Sequence, residues 1–452
     1  MDLTFIGAAQ TVTGSKYLLE DDGKKILIDC GLFQGRKELR LQNWAGLPIN
    51  PNRIDAVLLT HAHIDHSGYL PKLVKAGFKG NIYCSPATAD LCKILLPDSG
   101  HIQEEDAFRA NKYSYTKHHP ALPLYTEKEA RDCFDYFHPV DLGETHALTD
   151  ELNFMFHRAG HILGSSFIKV QNGSTSILFS GDIGRIHDPV MKPAAKIQDA
   201  DYLVLESTYG DRLHDKDDPT EELGEIIRKT AARGGSIIIP SFAVGRAQAL
   251  IYALYILKTE KKIPPMPIYL DSPMAIRVTD LLTRHMNEHR LSPEECAAME
   301  DMVEYTRTPE ESKAIYDSNG MPKIIISASG MATGGRILHH LKHYLGDRRN
   351  TILLPGFQAA ETRGDRLVRG EKEIKIHGQV WPVKAEIIQM QNMSAHADYN
   401  EILSWLENFR TPPKHVFLTH GEIEAAEALK AKIEEKFDWP VSIPAPMHKV
   451  TI

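Results

Sequence analysis

Short apolar runs separated by polar and turn-forming residues dominate the first two hundred positions, a pattern that predicts β-strands. Residues 1–30 are predicted to form short strands that end in Lys25-Ile26-Leu27-Ile28-Asp29, an apolar run closed by an acid. Ile54 to Thr60 is predicted to be a buried strand. Further strands are predicted at Leu152–His157, Phe167–Val170, Ser176–Ser180 and Tyr202–Leu205. We therefore expect the strand-rich half of an α/β sandwich.

From about Thr208 to Gln389, helical and strand periods alternate. Predicted helices lie at 220–232, 245–258 and 334–345. Predicted strands lie at Ser236–Pro240, Ile268–Asp271, Ile324–Ser327 and Thr351–Leu354. Such alternation is typical of βαβ units, so we expect a mostly parallel sheet here. A strand at Glu386–Met390, a helix, and a strand ending in Leu418-Thr419-His420 are predicted to follow.

The composition is that of a globular protein from a reducing compartment. The 452 residues, 42% of them hydrophobic, suffice for two or three domains. No run of about 18 apolar residues occurs, so no membrane span is predicted, and the first residues lack the regions of a signal peptide. The five cysteines are odd in number and include no Cys-x-x-Cys pair, which argues against a disulfide framework or a zinc ribbon and favours a reducing cytosol. We therefore expect a cytoplasmic protein.

The distribution of charge is uneven. The net charge of -8 disfavours a nucleic-acid binder held by bulk electrostatics. Residues 323–384, however, contain eleven Lys/Arg against five Asp/Glu. A local basic excess is a feature of nucleic-acid-binding surfaces, although an ordinary solvated face can have the same composition. This segment is therefore a candidate region for binding nucleic acid.

Four residues with metal-binding side chains fall within six positions, between a predicted buried strand and a predicted helix that starts near Ser67. They are His61, His63, Asp65 and His66. Imidazole and carboxylate are ligands that suit Zn²⁺. On a turn that leaves a strand, the first two side chains can bind one ion while the last two reach a second ion about 4 Å away. The cluster therefore predicts a metal site.

Three further candidate ligands each follow an apolar strand, where loops carry functional groups. His161 lies in Ala159-Gly160-His161-Ile162-Leu163-Gly164-Ser165, and Asp182 ends Leu178-Phe179-Ser180-Gly181-Asp182. His420 lies in Phe417-Leu418-Thr419-His420-Gly421. A single strand-end aspartate is more often a turn residue, so Asp182 is a candidate only as part of this set.

The order of these motifs resembles that of the metallo-β-lactamase superfamily. Its β-CASP branch is indicated by Glu206-Ser207-Thr208-Tyr209-Gly210, Ser394-Ala395-His396-Ala397-Asp398 and Leu418-Thr419-His420. That branch includes bacterial and archaeal ribonucleases and the endonuclease subunit of the eukaryotic pre-mRNA cleavage and polyadenylation machinery. The resemblance implies an α/β fold, a metallo-β-lactamase αββα sandwich with an inserted β-CASP domain of mostly parallel α/β type. The implied boundaries are 1–208 and 391–452 for the sandwich and 209–390 for the insertion.

The resemblance also implies a role for each candidate ligand, with two Zn²⁺ per chain. One ion would be bound by His61, His63 and His161, the other by Asp65, His66 and His420, with Asp182 bridging them. Asp29 matches the family's first acidic motif, whose residue holds a ligand histidine in place. Its alternative role is that of a turn residue at a strand end.

The chemistry that the resemblance implies is hydrolysis of RNA. A hydroxide shared by two zinc ions is a strong nucleophile at neutral pH. We expect it to attack an RNA phosphodiester in line, leaving a 5′-phosphate and a 3′-hydroxyl. The departing oxygen needs a proton, and His396 matches the family position proposed as general acid, with Glu206 placed to orient it. The implied catalytic residues are His396, Glu206 and Asp182.

A second anion-binding feature is predicted in the insertion. Ser327-Ala328-Ser329-Gly330-Met331-Ala332-Thr333-Gly334-Gly335 follows a predicted strand and opens a predicted helix. Backbone N–H groups and a helix dipole at such a loop favour a phosphate, although small residues there also allow tight helix–strand packing. Following the resemblance, RNA phosphate contacts are assigned to Ser329, Gly330, Met331, Thr333, Gly334, Arg246 and Arg363.

Other functions within the superfamily fit the sequence less well. Flavodiiron proteins carry a glutamate at the position of His63, and small-molecule hydrolases lack His396. A DNA-directed β-CASP nuclease is closer, but its last motif is generally not histidine, so His420 favours RNA. A catalytically silent RNA-binding scaffold is the non-enzyme alternative. We expect a ribonuclease of RNA processing or decay, an endonuclease rather than a 5′-to-3′ exonuclease, with a homodimer left open.

Overall fold

The computed structural model describes residues 1–21, 23–114, 116–215, 217–317, 321–359 and 361–452. The chain divides into two compact units. Unit 1 contains Met1–Asp188, Pro193–Leu213 and His396–Ile452, and unit 2 contains Pro189–Lys192 and His214–Ala395. None of the described helices combines the length and the apolar character that crossing a membrane requires.

The strands are numbered in chain order. They are β1 (Asp2–Gly7), β2 (Lys16–Asp21), β3 (Lys24–Ile28), β4 (Ala56–Leu58), β5 (Asn81–Cys84), β6 (Phe137–Pro139), β7 (Thr145–Ala147), β8 (Leu152–Arg158), β9 (Ser166–Asn172), β10 (Thr175–Phe179), β11 (Tyr202–Glu206), β12 (Ile237–Pro240), β13 (Ile268–Leu270), β14 (Glu304–Tyr305), β15 (Ile324–Ser327), β16 (Thr351–Pro355), β17 (Glu373–Ile376), β18 (Gln379–Pro382), β19 (Glu386–Met390), β20 (His415–Thr419), β21 (Val441–Ser442) and β22 (Lys449–Thr451).

The helices are numbered in the same way. They are α1 (Lys37–Ala45), α2 (Ile64–Ser67), α3 (Leu70–Lys75), α4 (Pro86–Tyr113), α5 (Glu127–Asp132), α6 (Pro219–Ala232), α7 (Arg246–Thr259), α8 (Pro273–Arg284), α9 (Pro293–Met302), α10 (Pro309–Asp317), α11 (Ile337–Tyr344), α12 (Arg363–Val368), α13 (Tyr399–Leu406) and α14 (Ile423–Phe437). Short 3₁₀ turns lie at Pro51–Arg53 and Cys133–Tyr136.

The starts of several helices follow from local sequence. Ser85, Asp218, Ser272 and Ser292 precede α4, α6, α8 and α9, and each side chain accepts a hydrogen bond from an amide of the first turn. Each of these helices then begins with proline, whose missing N–H has no partner in the first turn of a helix anyway. These caps fix where the chain turns from loop to helix.

Unit 1 is built on two seven-stranded sheets, in the orders β22-β1-β2-β3-β4-β5-β6 and β21-β20-β11-β10-β9-β8-β7. Apolar side chains from both sheets form one core, which includes Phe5 and Leu19 from the first sheet and Phe156 and Phe417 from the second. The sheets therefore pack face to face. Helices α13 and α14 cover the outer side of the second sheet. This arrangement confirms the predicted sandwich.

Unit 2 is built on a six-stranded sheet in the order β14-β13-β15-β12-β16-β19, and all of its pairings are parallel. Its central strands are continuous apolar runs, Ile237–Ile239 and Ile324–Ile326, which are fully buried. Such runs suit a parallel sheet with both faces covered. A small antiparallel hairpin, β17–β18, completes the unit. The predicted mostly parallel sheet is confirmed.

Several predicted boundaries differ from the structure, three of them near candidate site residues. The strand predicted at 54–60 is only β4, and beyond it the amide of Thr60 donates to the carboxylate of Asp29 rather than to a neighbouring strand. The helix predicted to start near Ser67 begins as α2 directly after His63. The helix predicted at 334–345 is α11, because Gly335 has a φ of +77°, which is not helical.

Candidate metal centre

The candidate ligands lie where strands of unit 1 end. β3 and β4 are adjacent and parallel, so Asp29 and the His61–His66 segment, which follow them, lie side by side. β10, β11 and β20 are also adjacent and parallel. Asp182, Glu206 and His420 lie at the carboxyl ends of these three strands. Because the carboxyl ends of parallel strands share one edge of a sheet, residues far apart in sequence meet there.

The first donor set consists of His61, His63, His161 and Asp182. Nδ1 of His63 lies 3.1 Å from Nε2 of His61 and 3.2 Å from Nε2 of His161. Oδ2 of Asp182 lies 3.3 Å and 3.4 Å from the same two Nε2 atoms. For zinc bonds of about 2.0–2.1 Å, two corners of a tetrahedron are about 3.3–3.4 Å apart. These four residues therefore fit a zinc ion.

The second donor set consists of Asp65, His66 and His420. Nε2 of His420 lies 3.1 Å from Nε2 of His66 and 3.5 Å from Oδ2 of Asp65. Oδ1 of Asp182 lies 3.3 Å from Nε2 of His66 and 3.4 Å from Nδ1 of His420. Among the described residues this buried oxygen has no hydrogen-bond donor. Asp182 thus faces both donor sets, as a carboxylate between two ions would.

Burial keeps most of these imidazoles neutral, which is the form that binds a metal. It lowers the pKa of His61 and His161 and lowers the pKa of His63 to about 3. For His66, burial again opposes the charged form, but Asp182 and Asp29 raise its pKa above the ordinary value. His66 is therefore the ring with the strongest carboxylate support.

Neighbouring residues hold three of the rings through Nδ1. Asp29, fully buried, lies 2.7 Å from Nδ1 of His66. The hydroxyl of Thr60 donates to Asp29 at 2.9 Å and lies 3.1 Å from Nδ1 of His61. The hydroxyl of Thr208 donates to the carbonyl oxygen of His420 at 2.9 Å.

That hydroxyl also lies 3.1 Å from Nδ1 of His420. Because each threonine hydroxyl donates its proton elsewhere, it accepts the Nδ1 proton and leaves Nε2 free as a ligand. The positions of Thr60 and Thr208 against ligand rings were not predicted from the sequence. The available signal was their position: Thr60 directly precedes a ligand, and Thr208 belongs to the segment that begins with Glu206.

Glu206 and His396 form a pair beside the first donor set. Nδ1 of His396 lies 3.3 Å from both carboxylate oxygens of Glu206, which is buried and accepts the amide of Ile183 at 2.5 Å. Burial opposes charge on His396, but Glu206 raises its pKa to about 9. The Glu206 carboxylate therefore favours the protonated form of this ring. Asp182, Glu206 and His396 also lie close enough together to hold an ion, so the geometry alone permits a ligand role.

In unit 2, the carbonyl oxygens of the loop from Ser327 to Gly335 accept hydrogen bonds from other groups of the protein. The Gln358 side chain donates to the carbonyl of Gly330 at 3.3 Å, and the amide of Gly364 donates to that of Met331 at 3.1 Å. The Arg363 guanidinium donates to the carbonyls of residues 332 and 333. In the part of the chain that the structure describes, the amides of Gly330 and Met331 have no acceptor. Whether this loop binds a phosphate stays a prediction.

The other predicted phosphate contacts are placed as follows. The hydroxyl of Ser329 accepts the amides of Thr333 and Gly334, which closes the loop on itself. The Arg363 guanidinium also donates to the carbonyl of Lys375, so it supports the loop and the hairpin. The Arg246 guanidinium donates to the carbonyl of Pro355 at the end of the neighbouring strand β16.

Two adjoining sets of imidazole and carboxylate donors at the edge of the sandwich suit a site for two metal ions, of the kind that metal-dependent hydrolases use. Three family models match the chain. The metallo-beta-lactamase superfamily matches residues 11–233, the Beta-Casp domain matches 247–367, and the Zn-dependent metallo-hydrolase RNA specificity domain matches 380–444.

Known proteins are similar over almost the whole chain. Ribonuclease TTHA0252 from Thermus thermophilus is 38% identical, and the match covers 95% of each chain. Transcription termination factor FttA from Thermococcus kodakarensis is 30% identical over 96% of this chain and 69% of its own. Integrator complex subunit 11 from Danio rerio is 28% identical over 100% of this chain and 74% of its own.

A solved structure shares the fold. The crystal structure of a protein of unknown function from Enterococcus faecalis V583 matches with a TM-score of 0.55 at 13% identity, covering 100% of this chain and 99% of that one. The chain belongs to the metallo-β-lactamase superfamily, in the branch that carries β-CASP and RNA-specificity domains.

Proposed function

We propose that this protein is a ribonuclease that binds two Zn²⁺ per chain and hydrolyses RNA phosphodiester bonds, leaving 5′-phosphate and 3′-hydroxyl ends. The observation that carries the proposal is the convergence of seven side chains into two donor sets with Asp182 between them. The match to an RNA-specificity domain and the 38% identity to a protein named a ribonuclease support RNA as the substrate. We place the enzyme in RNA processing or decay.

One ion would be bound by His61, His63 and His161 and the other by Asp65, His66 and His420, with Asp182 shared. When bound, two zinc ions lower the pKa of a water molecule and neutralise charge on the reacting phosphate. Asp29, Thr60 and Thr208 hold the histidine rings so that the ligand nitrogens keep their positions.

His396 gives the departing 3′-oxygen its proton. Its imidazolium is maintained by the Glu206 carboxylate 3.3 Å away, so that a proton is available on the ring at neutral pH. Glu206 is itself fixed by the amide of Ile183, which keeps the ring oriented. In unit 2, the amides of Gly330 and Met331 bind a backbone phosphate of the RNA.

The experiment that tests this function uses the zinc-loaded protein with a 5′-labelled linear RNA, the same RNA as a circle, and a DNA of the same sequence. We expect both RNAs to be cut, with loss of cutting after chelation and recovery when zinc is restored. Only an endonuclease opens the circle, so opening assigns that activity, whereas cutting of the linear RNA alone assigns a 5′-to-3′ exonuclease.

Two results would contradict the proposal. A zinc-loaded protein that binds RNA and never cuts it would be a scaffold rather than an enzyme. Faster cutting of the DNA than of the RNA would make DNA the substrate.

A further inference from the structure

Two phenylalanine side chains are exposed at the carboxyl edge of the parallel sheet of unit 2. Phe242, just after β12, is 44% exposed, and Phe357, just after β16, is 57% exposed. β12 and β16 are neighbours in the sheet, so both rings belong to adjoining loops of one edge. Ligands of open parallel sheets bind at this edge. Aromatic rings that are exposed to water contribute less to stability than buried ones, so their exposure at this edge calls for an explanation.

Both loops are attached to the loop from Ser327 to Gly335. The ring of Phe242 packs on Gly330 so closely that a Cβ atom there would lie 2.8 Å from its Cδ2. Gln358, the residue after Phe357, donates to the carbonyl of Gly330 at 3.3 Å. The amides of Gly330 and Met331, which have no acceptor among the residues that the structure describes, are therefore held next to the ring of Phe242, and Phe357 adjoins the same loop.

Two arginines lie beside these loops. A Cβ atom on Gly356, the residue before Phe357, would lie 2.5 Å from Nη1 of Arg246. Arg363 joins the loop to the hairpin by donating to the carbonyls of Thr333 and Lys375. A single RNA strand offers a phosphate and a base with an exposed π-face at every nucleotide. Amide donors, two arginines and exposed rings on adjoining loops match that repeat.

We propose that Phe242 and Phe357 are stacking platforms for bases of single-stranded RNA whose backbone phosphate is bound by the amides of Gly330 and Met331. The inference rests on the proposed ribonuclease function and specifies how its substrate is held. Every base has a π-face, so this site binds the strand with little regard to its sequence. Double-stranded RNA, whose bases are stacked on each other, binds less tightly here.

The test is a double-mutant cycle between protein and RNA. All proteins carry His396→Ala, to slow cleavage, and are loaded with zinc. Affinity for a short single-stranded RNA is measured for this parent and for Phe357→Ala, Phe357→Tyr and Phe242→Leu. Phe108→Ala is the matched control, because Phe108 is a similarly exposed phenylalanine of unit 1. Each protein is tested against RNAs in which one nucleotide at a time lacks its base.

We expect Phe357→Ala and Phe242→Leu each to weaken binding about tenfold, while Phe357→Tyr and Phe108→Ala bind as the parent does. At one position, removal of the base should weaken binding by the parent about tenfold but should not weaken binding by Phe357→Ala any further. At a second position, the same comparison should hold between the parent and Phe242→Leu.

The inference would be overturned if Phe357→Ala and Phe242→Leu bind RNA as tightly as the parent. It would also be overturned if the loss of affinity from the substitution and the loss from base removal are independent at every position. If the protein with His396 intact still cuts RNA in that case, the proposed function stands without these platforms. If the protein neither binds nor cuts RNA, both proposals fail.

Discussion

At the scale of single residues, the candidate metal centre depends on hydrogen bonds to the ring nitrogen that is not the proposed ligand. Asp29 binds Nδ1 of His66, and the hydroxyls of Thr60 and Thr208 lie against Nδ1 of His61 and His420. Such partners fix the tautomer and the orientation of a ligand ring, and their loss commonly weakens metal binding by 10–100-fold. The ligand residues alone therefore do not make the site.

Thr208 gives the clearest test of this support. Thr208→Val keeps the shape of the side chain but removes the acceptor for Nδ1 of His420 and the donor to its carbonyl. We expect zinc affinity, measured by competition with a coloured chelator, to fall about tenfold or more. Thr208→Ser, which keeps the hydroxyl, should bind zinc normally. Equal affinity in the valine variant would show that Thr208 does not support the site.

Substitution of His396 distinguishes a role in proton transfer from a role in metal binding. His396→Ala should reduce turnover by about 10²–10⁴-fold, the range of general acid catalysis, while zinc content remains near that of the unmodified protein. Metal analysis and cleavage assays on the same preparation check both parts. A fall in zinc content would instead make His396 a ligand, which its position near Asp182 also permits.

Lys16 predicts a pH dependence of stability. Its side chain is buried over the ring of Phe33, and burial lowers its pKa to about 8 from 10.5. Between pH 8 and 10.5 the unfolded chain binds more protons at this residue than the folded chain. The cost of burying the charged lysine therefore falls, and the free energy of unfolding increases, as pH rises.

In zinc-loaded protein, the free energy of unfolding relative to Lys16→Met should therefore increase by about 3 kcal/mol from pH 8 to pH 10.5. Denaturant titrations at several pH values measure this difference. A difference that does not change with pH would mean that the lysine keeps its ordinary pKa.

At the scale of elements, the sequence pattern predicts strand identity well and boundaries less well. Ile237–Ile239 and Ile324–Ile326 are continuous apolar runs, and the structure buries both in a parallel sheet. The helix after the histidine cluster starts earlier than predicted, because the carbonyls of Asp65 and His66 accept amides of Ser15 and Cys30 and hold this turn in place. Periodicity along the chain carries no information on such long-range partners.

The core of unit 2 should be sensitive to loss of volume. Ile325, in the centre of β15, is fully buried between β12 and β13. Ile325→Ala should reduce the free energy of unfolding by about 2–5 kcal/mol in denaturant titrations. Val380→Ala on the hairpin, where the side chain is 61% exposed, should change it by less than about 0.5 kcal/mol. Similar effects of the two substitutions would contradict the assigned burial.

At the scale of the whole molecule, the candidate site is assembled from segments that are far apart in sequence. His66 and His420, whose Nε2 atoms lie 3.1 Å apart, are separated by 354 positions. The motifs supplied the candidate ligands, since histidines and acids at strand ends are visible in the sequence. The distances, the positioning threonines and the exposed phenylalanines are not, because they depend on which strands become neighbours.

The most direct test of the account is the zinc content of the purified, zinc-loaded protein, measured by elemental analysis against chain concentration. We expect two zinc ions per chain in the unmodified protein and one in His420→Ala, which lacks a proposed ligand of the second donor set. A protein that binds no zinc, or that holds the same number after loss of His420, would contradict the account.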